Sequence, residues 1–152
     1  MFKYLLLVAL VPALAQARTP VRQCGNRAPL PEFVDINGCT SMPCQIRNGE
    51  TLDAVGEGIV SPVATTRLLT YINVRVGIIT LPITIPPELE DACLAGIEPG
   101  CPLAAGQRFN FRLLMEDLEL PNLALTARVE VGMRADDGTV VSCVEFDARV
   151  VR

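Results

Sequence analysis

The clearest pattern in the chain is an alternation of apolar and polar positions near its end. Over 123–135, the residues at 123, 125, 127, 129 and 131 are all apolar, whereas Arg128 and Glu130 lie on the opposite face. An alternation with a period of two and charges on one side predicts a half-buried antiparallel strand. Asp136-Asp137-Gly138 follows as a turn signal between two apolar runs, so the sequence predicts a hairpin.

The rest of the chain also favours strands. After the turn, Val144 and Phe146 share one face and Cys143, Glu145 and Asp147 share the other. Further strands are predicted over 33–38, 50–60, 67–85 and 107–120. Frequent prolines argue against long helices. Short strands separated by turn signals predict one all-β domain, either a sandwich or a barrel.

The first seventeen residues are predicted to be a secretory signal peptide (1–17), which leaves a domain over 18–152. Lys3 precedes an apolar run from Tyr4 to Leu14, and Ala15-Gln16-Ala17 has the small-x-small form of a cleavage site. The apolar run is too short to span a bilayer. The predicted location is therefore extracellular.

Six cysteines follow this segment, at 24, 39, 44, 93, 101 and 143. An even count behind a signal peptide predicts three disulfides, but six cysteines allow 15 pairings. The spacing suggests two local clips, Cys39 with Cys44 and Cys93 with Cys101. Cys24 and Cys143 would then join the two ends of the chain.

The residue types that are absent exclude several classes of function. The chain has no histidine, which removes the usual serine and cysteine catalytic groups and most zinc sites. The acidic clusters at 88–91 and 116–119 are interpreted as solvated loops, because exposed charge is the default. A net charge of −4 argues against nucleic acid as a partner. The sequence therefore contains no recognisable metal or cofactor site.

One stretch remains unexplained by these features. VGIITLPITIPP (76–87) carries no charge and is rich in β-branched residues. The predicted inward faces use Ala, Val, Leu and Ile, and tryptophan is absent. Small inward residues fit two closely packed sheets, which is the rule for protein interiors, and they also fit two sheets splayed around a ligand cavity.

The cysteine frame and its flanking residues resemble a known family. The relevant segments are DINGCTSMPCQIRNGE (35–50), LPITIPPELEDAC (81–93), GCPLAAGQRFNF (100–111) and DDGTVVSCVEFDARV (136–150). Together they resemble the Niemann-Pick C type 2 family of ML-domain lipid-recognition proteins, in particular its arthropod members. The resemblance runs from Cys24 to the end of the chain.

The resemblance implies an immunoglobulin-like β-sandwich of two antiparallel sheets with an apolar cavity between them. It also implies the disulfides Cys24–Cys143, Cys39–Cys44 and Cys93–Cys101. The resemblance implies a lipid-transport protein that is not an enzyme. The implied ligand is a sterol, a fatty acid or a similar apolar lipid held without covalent chemistry.

The resemblance also carries over ten ligand-lining positions. Several of them hold bulky aromatics in the sterol-binding relatives and smaller aliphatics here, which weakens the case for a sterol. Met115 and Leu118 are alternatives for one position. The ten are Leu52, Leu81, Ile83, Met115, Leu118, Leu120, Leu125, Ala127, Val129 and Val144.

Three functions stay open at this point. The first is a secreted lipid carrier, with a membrane or a receptor as a transfer partner; the absence of an Asn-x-Ser/Thr glycan site favours secretion over the lysosomal lumen. The second is innate immune recognition of a microbial glycolipid, for which Arg108 and Arg112 would supply a cationic rim. The third is a filled sandwich that acts only through its surface.

Overall fold

The computed structural model describes residues 18–120 and 125–151. The predicted signal peptide over 1–17 lies outside these residues, as does Pro121, which follows the predicted site residue Leu120. Within the described part of the chain, no helix has the length and hydrophobicity to cross a bilayer.

The described residues form ten strands and one helical turn. In chain order these are β1 (Arg22–Gln23), β2 (Phe33–Ile36), β3 (Cys44–Arg47), β4 (Leu52–Val60), β5 (Leu68–Val76), β6 (Ile79–Ile83), α1 (Pro87–Glu90), β7 (Ile97–Glu98), β8 (Arg108–Met115), β9 (Thr126–Ala135) and β10 (Val140–Val151).

The strands make two sheets, which confirms the predicted all-β sandwich. The first sheet has the order β1-β10-β9-β5-β6, and β3 also pairs with β10. The second sheet has the order β2-β4-β8-β7. Neighbouring strands run antiparallel except for β3, which runs parallel to the end of β10.

The hairpin predicted from Asp136-Asp137-Gly138 is confirmed as β9 and β10. Gly138 has φ +85°, a conformation that glycine adopts without the steric penalty of a Cβ atom. The single strand predicted over 67–85 is wrong, because it is the hairpin β5–β6. Its tight turn falls at Gly77, with φ +59°, in a run whose uniform apolar character hid the turn.

The inward faces follow the predicted alternation. On β9, Ala127, Val129 and Met133 are buried, whereas Arg128 and Arg134 are exposed. β8 alternates along its whole length, from exposed Arg108 to buried Met115. This alternation places one apolar face of each sheet against the other, as in aligned sandwiches.

The three disulfides pair as the resemblance implied. They join Cys24 to Cys143, Cys39 to Cys44 and Cys93 to Cys101. The first connects positions 119 residues apart and packs on the outer face of the first sheet with Ala28 and Tyr71.

One acidic residue departs from the solvated-loop prediction. Asp91 is buried and accepts hydrogen bonds from the backbone N–H groups of Leu68 and Cys93 and from the side chain of Arg67. It therefore ties the segment after α1 to the start of β5.

Candidate functional site

An apolar cavity lies between the two sheets, and we name it the first chamber. Its walls come from both sheets, and every lining residue is apolar. They are Ile36, Ile46, Leu52, Ala54, Ile72, Val74, Ile83, Leu113, Leu118, Leu120, Ala127, Val129, Val131, Phe146, Ala148 and Val150.

The first chamber is narrow. Its free volume is about 50 Å³, on a scale where one water molecule needs about 10–15 Å³. The space between the sheets is therefore not close-packed, but a lipid would have to part side chains or sheets to enter. An apolar chamber of this kind offers burial and no hydrogen bond, so it suits hydrocarbon.

Most of the ten predicted site residues are brought together here. Six of them line the first chamber: Leu52, Ile83, Leu118, Leu120, Ala127 and Val129. Of the two alternatives for one position, Leu118 lines the chamber, whereas Met115 is buried in the surrounding core without lining it.

Two other predicted residues lie outside the walls. Leu81 pairs with Val74 and so faces the same side, but β6 is an edge strand and Leu81 stays 42% exposed. Leu125, just before β9, is 59% exposed. The sequence predicted which face of the sheet these residues lie on, but it did not predict how deeply they are buried.

The tenth residue, Val144, lines a neighbouring cavity that we name the second chamber. This chamber also lies between the sheets and has a free volume of about 50 Å³. Its lining comprises Pro31, Val34, Ile36, Ala54, Val55, Gly56, Ile59, Phe111, Val131, Gly132, Met133, Ser142 and Val144. Three residues, Ile36, Ala54 and Val131, line both chambers.

Several lining residues were missed by the sequence analysis. Ile72 and Val74 could have been found, because β5 alternates between buried and more exposed positions. Ile36 and Ala54 could not, because their pairing across β2 and β4 depends on a register that one sequence does not reveal.

The expected cationic rim is not formed by Arg108 and Arg112, and that interpretation is wrong. Both point outward from β8. Arg112 makes two hydrogen bonds to Asp53, at 2.9 and 2.8 Å, which lower the pKa of Asp53. Arg108 pairs with Glu32 and lowers the pKa of that carboxyl in the same way. Each charge is neutralised on the outer surface.

One group in the described part of the chain has the spacing of metal ligands: Cys24, Glu130 and Cys143. The two sulfur atoms are bonded to each other, so they are not free thiolates. The group therefore provides no metal site.

Comparison with known proteins agrees with this architecture. A family model described as the ML domain matches residues 18–150. The chain belongs to the ML-domain family. This match confirms the predicted membership of the ML-domain family.

Two solved ML-domain structures show the same fold. The crystal structure of a Niemann-Pick type C2 protein from Japanese carpenter ant is 16% identical with a TM-score of 0.69, and the match covers 87% of this chain and 99% of that one. The crystal structure of chicken MD-1 complexed with lipid IVa is 14% identical with a TM-score of 0.53, and the match covers 84% and 85%. A search among curated proteins found no match.

Proposed function

We propose that this ML-domain protein is a secreted, non-enzymatic carrier that holds a fatty acid, a sterol or a similar apolar lipid between its sheets. The observation that supports this most is the first chamber, whose lining side chains are all apolar. Interiors are normally packed like organic crystals, so unfilled apolar space between the two sheets of a small domain favours a ligand-binding site.

The expected affinity is adequate for a carrier. Burying roughly 300–400 Å² of lipid surface at about 25 cal/mol/Å² gives on the order of 8–10 kcal/mol before the cost of association. Micromolar or tighter binding is compatible with that figure. No covalent step is required, and release needs only an apolar acceptor.

The binding test is a titration with a fluorescent fatty acid and a fluorescent sterol. We expect saturable binding, weakened in Ile83→Asp, because a carboxylate in the apolar wall is unfavourable against a hydrocarbon ligand. Leu94→Asp is the matched control, since Leu94 is 82% exposed and lines neither chamber. No saturable binding across a broad lipid panel would contradict the carrier function.

Exposed apolar side chains adjoin the first chamber and suit lipid transfer. Ile78, at the β5–β6 turn, is 101% exposed. Ile79 and Leu81 follow it on β6 and are also exposed. Clustered apolar residues on a surface are typical of interaction sites. We propose that this hairpin contacts the membrane that donates or accepts the lipid.

The transfer test separates this role from binding. Ile78→Asp should slow lipid exchange with vesicles while the equilibrium affinity stays unchanged. If the variant exchanges lipid as fast as the natural protein, the hairpin is not the membrane contact.

The glycolipid alternative predicts a different outcome. It needs cationic side chains near the lipid phosphates, and Arg108 and Arg112 are engaged with carboxylates elsewhere. Capture by immobilised lipopolysaccharide that weakens with added salt would favour immune recognition over the carrier.

A further inference from the structure

The two chambers lie end to end along the strands. On β9, Ala127 and Val129 line the first chamber, Val131 lines both, and Met133 lines the second. β4 and β10 give the same order, from Leu52 through Ala54 to Gly56 and from Ala148 through Phe146 to Val144. The chambers are therefore arranged in a row along the strands.

Three residues line both chambers and so lie where the two meet; we name them the waist. Ile36 and Ala54 are cross-strand neighbours in one sheet, and Val131 belongs to the other. Ile and Val are stiff at χ1, so these two side chains do not widen the waist by changing rotamer. Ala54 contributes only a methyl group, so it is the smallest of the three side chains.

The length of the combined space matches a common lipid chain. Six residue steps from Ala127 to Met133 correspond to about 20 Å at about 3.3 Å per residue. An extended chain advances about 1.2 Å per bond, so this distance suits about sixteen carbons. The first chamber alone, from Ala127 to Val131, spans about 13 Å, or about eleven carbons, by the same rule.

We propose that the two chambers bind a single unbranched alkyl chain of about sixteen carbons that threads the waist, and that Ile36, Ala54 and Val131 determine ligand length. This proposal rests on the carrier function and specifies its ligand. A chain without branches passes a narrow gap end-on, whereas the fused rings of a sterol do not. Sterols and short chains would occupy the first chamber only.

The affinity test compares decanoate with hexadecanoate by calorimetric titration. Each additional buried methylene increases affinity about fourfold, so hexadecanoate should bind the natural protein far more tightly. In Ala54→Ile, which narrows the waist with a larger side chain, hexadecanoate should lose at least tenfold in affinity. Because Ala54 also lines the first chamber, decanoate should weaken as well, but the affinity ratio of hexadecanoate to decanoate should fall at least fivefold.

Two further variants locate the effect. Gly56→Val fills the second chamber, and a Cβ at Gly56 meets Pro31 Cγ at 3.4 Å and Ile59 Cδ1 at 3.5 Å, which are ordinary contacts. It should reproduce the loss for hexadecanoate alone. Ala127→Leu, in the first chamber, should weaken both ligands. Circular dichroism and thermal unfolding establish that each variant is folded.

The outcomes are distinguishable. If Ala54→Ile and Gly56→Val weaken both ligands equally, or leave the advantage of hexadecanoate intact, the waist proposal is wrong and the carrier function stands. If the natural protein binds neither fatty acid, both the waist proposal and the carrier function are wrong.

A crystal structure of the natural protein with 16-bromohexadecanoate tests the waist proposal without a variant. Density continuous from the first chamber past Ala54 to Met133 supports the proposal, and a chain folded within the first chamber overturns it.

Discussion

The two ends of the sandwich are built from the same strands but are filled differently. At one end, which we name the packed end, Leu68, Leu103, Phe109 and Ala135 have almost no exposed surface and line neither chamber. At the other, the hollow end, the same strands line the first chamber. β8 shows the gradient, with Phe109 in the packed end, Phe111 in the second chamber and Leu113 in the first.

The difference shows that the alternation of apolar residues along a strand does not determine how completely the space between the sheets is filled. Both ends follow the same period of two, so both face inward. Side-chain volume accounts for part of the difference, because aromatic Phe109 fills its layer whereas Ala54, Ala127 and Ala148 leave room in theirs. The packed end provides conventional core stability. The hollow end has fewer packing contacts, because part of its interior is unfilled.

The largest effect is expected from a change that should not distinguish the ends. Replacing Cys24 and Cys143 together by Ala removes a cross-link between residues 119 positions apart. The loop entropy predicts a loss of about 4–5 kcal/mol in unfolding free energy, measured by urea denaturation. Hydrogen exchange should show both ends losing protection together; loss confined to one end would contradict a shared fold.

One large-to-small substitution at each end tests how differently the two ends are packed. Leu68→Ala should cost about 4–5 kcal/mol, because it opens a cavity in a layer with no free space. Leu52→Ala should cost only about 2–3 kcal/mol, because one side of Leu52 already faces the first chamber and makes fewer contacts there. Equal losses in urea denaturation would mean that the two ends are packed alike.

The reverse substitution tests the same difference with a smaller effect. Ala135→Leu should destabilise the protein by about 1–3 kcal/mol, since overpacking forces strained rotamers. Ala127→Leu should instead be neutral or stabilise by about 1 kcal/mol, because it fills a void. A destabilising Ala127→Leu would show that the first chamber has no usable space.

The smallest expected effect is the loss of folding stability at acidic pH. The pKa of Asp136, beside the packed end, is lowered by hydrogen bonds from the backbone and side chain of Thr66, and that of Asp53 by hydrogen bonding to Arg112. A lowered folded-state pKa stabilises the protein above the ordinary carboxyl pKa, and this contribution is lost as pH falls through the lowered value.

The two carboxylates should respond differently to salt. Asp53 interacts with a guanidinium, which salt screens, whereas Asp136 accepts from neutral donors. Urea midpoints between pH 5 and pH 2 should become less pH-dependent in Asp136→Asn and in Asp53→Asn. Only the effect of Asp53 should shrink in high salt, and an equal response would contradict this distinction.

Much of the architecture could be predicted from local pattern. The alternation over 123–135 placed Ala127, Val129 and Val131 on the inward face correctly, and the cysteine frame carried the family and its disulfides. β3 was missed, because four residues between a disulfide and a turn are too short to show a period. The β5–β6 turn was missed, because apolar residues continue through it.

The site was less predictable for a physical reason. Whether an inward residue lines a cavity depends on what lies opposite it, and Leu81 and Leu125 stay 42% and 59% exposed. The waist joins β2, β4 and β9, strands far apart in sequence. Its three residues meet only after both sheets have formed, so no local sequence pattern predicts them.

The long strand β10 has one further consequence. Its outer edge is covered by two short strands, β1 beside Glu145 and β3 beside Ala148–Val151. Such capping denies other molecules an open row of backbone donors and acceptors. β1 is only two residues long and is retained by the bond from Cys24. A reductant would therefore free that edge for intermolecular pairing, so the thiol form should aggregate at concentrations where the oxidised form stays dispersed.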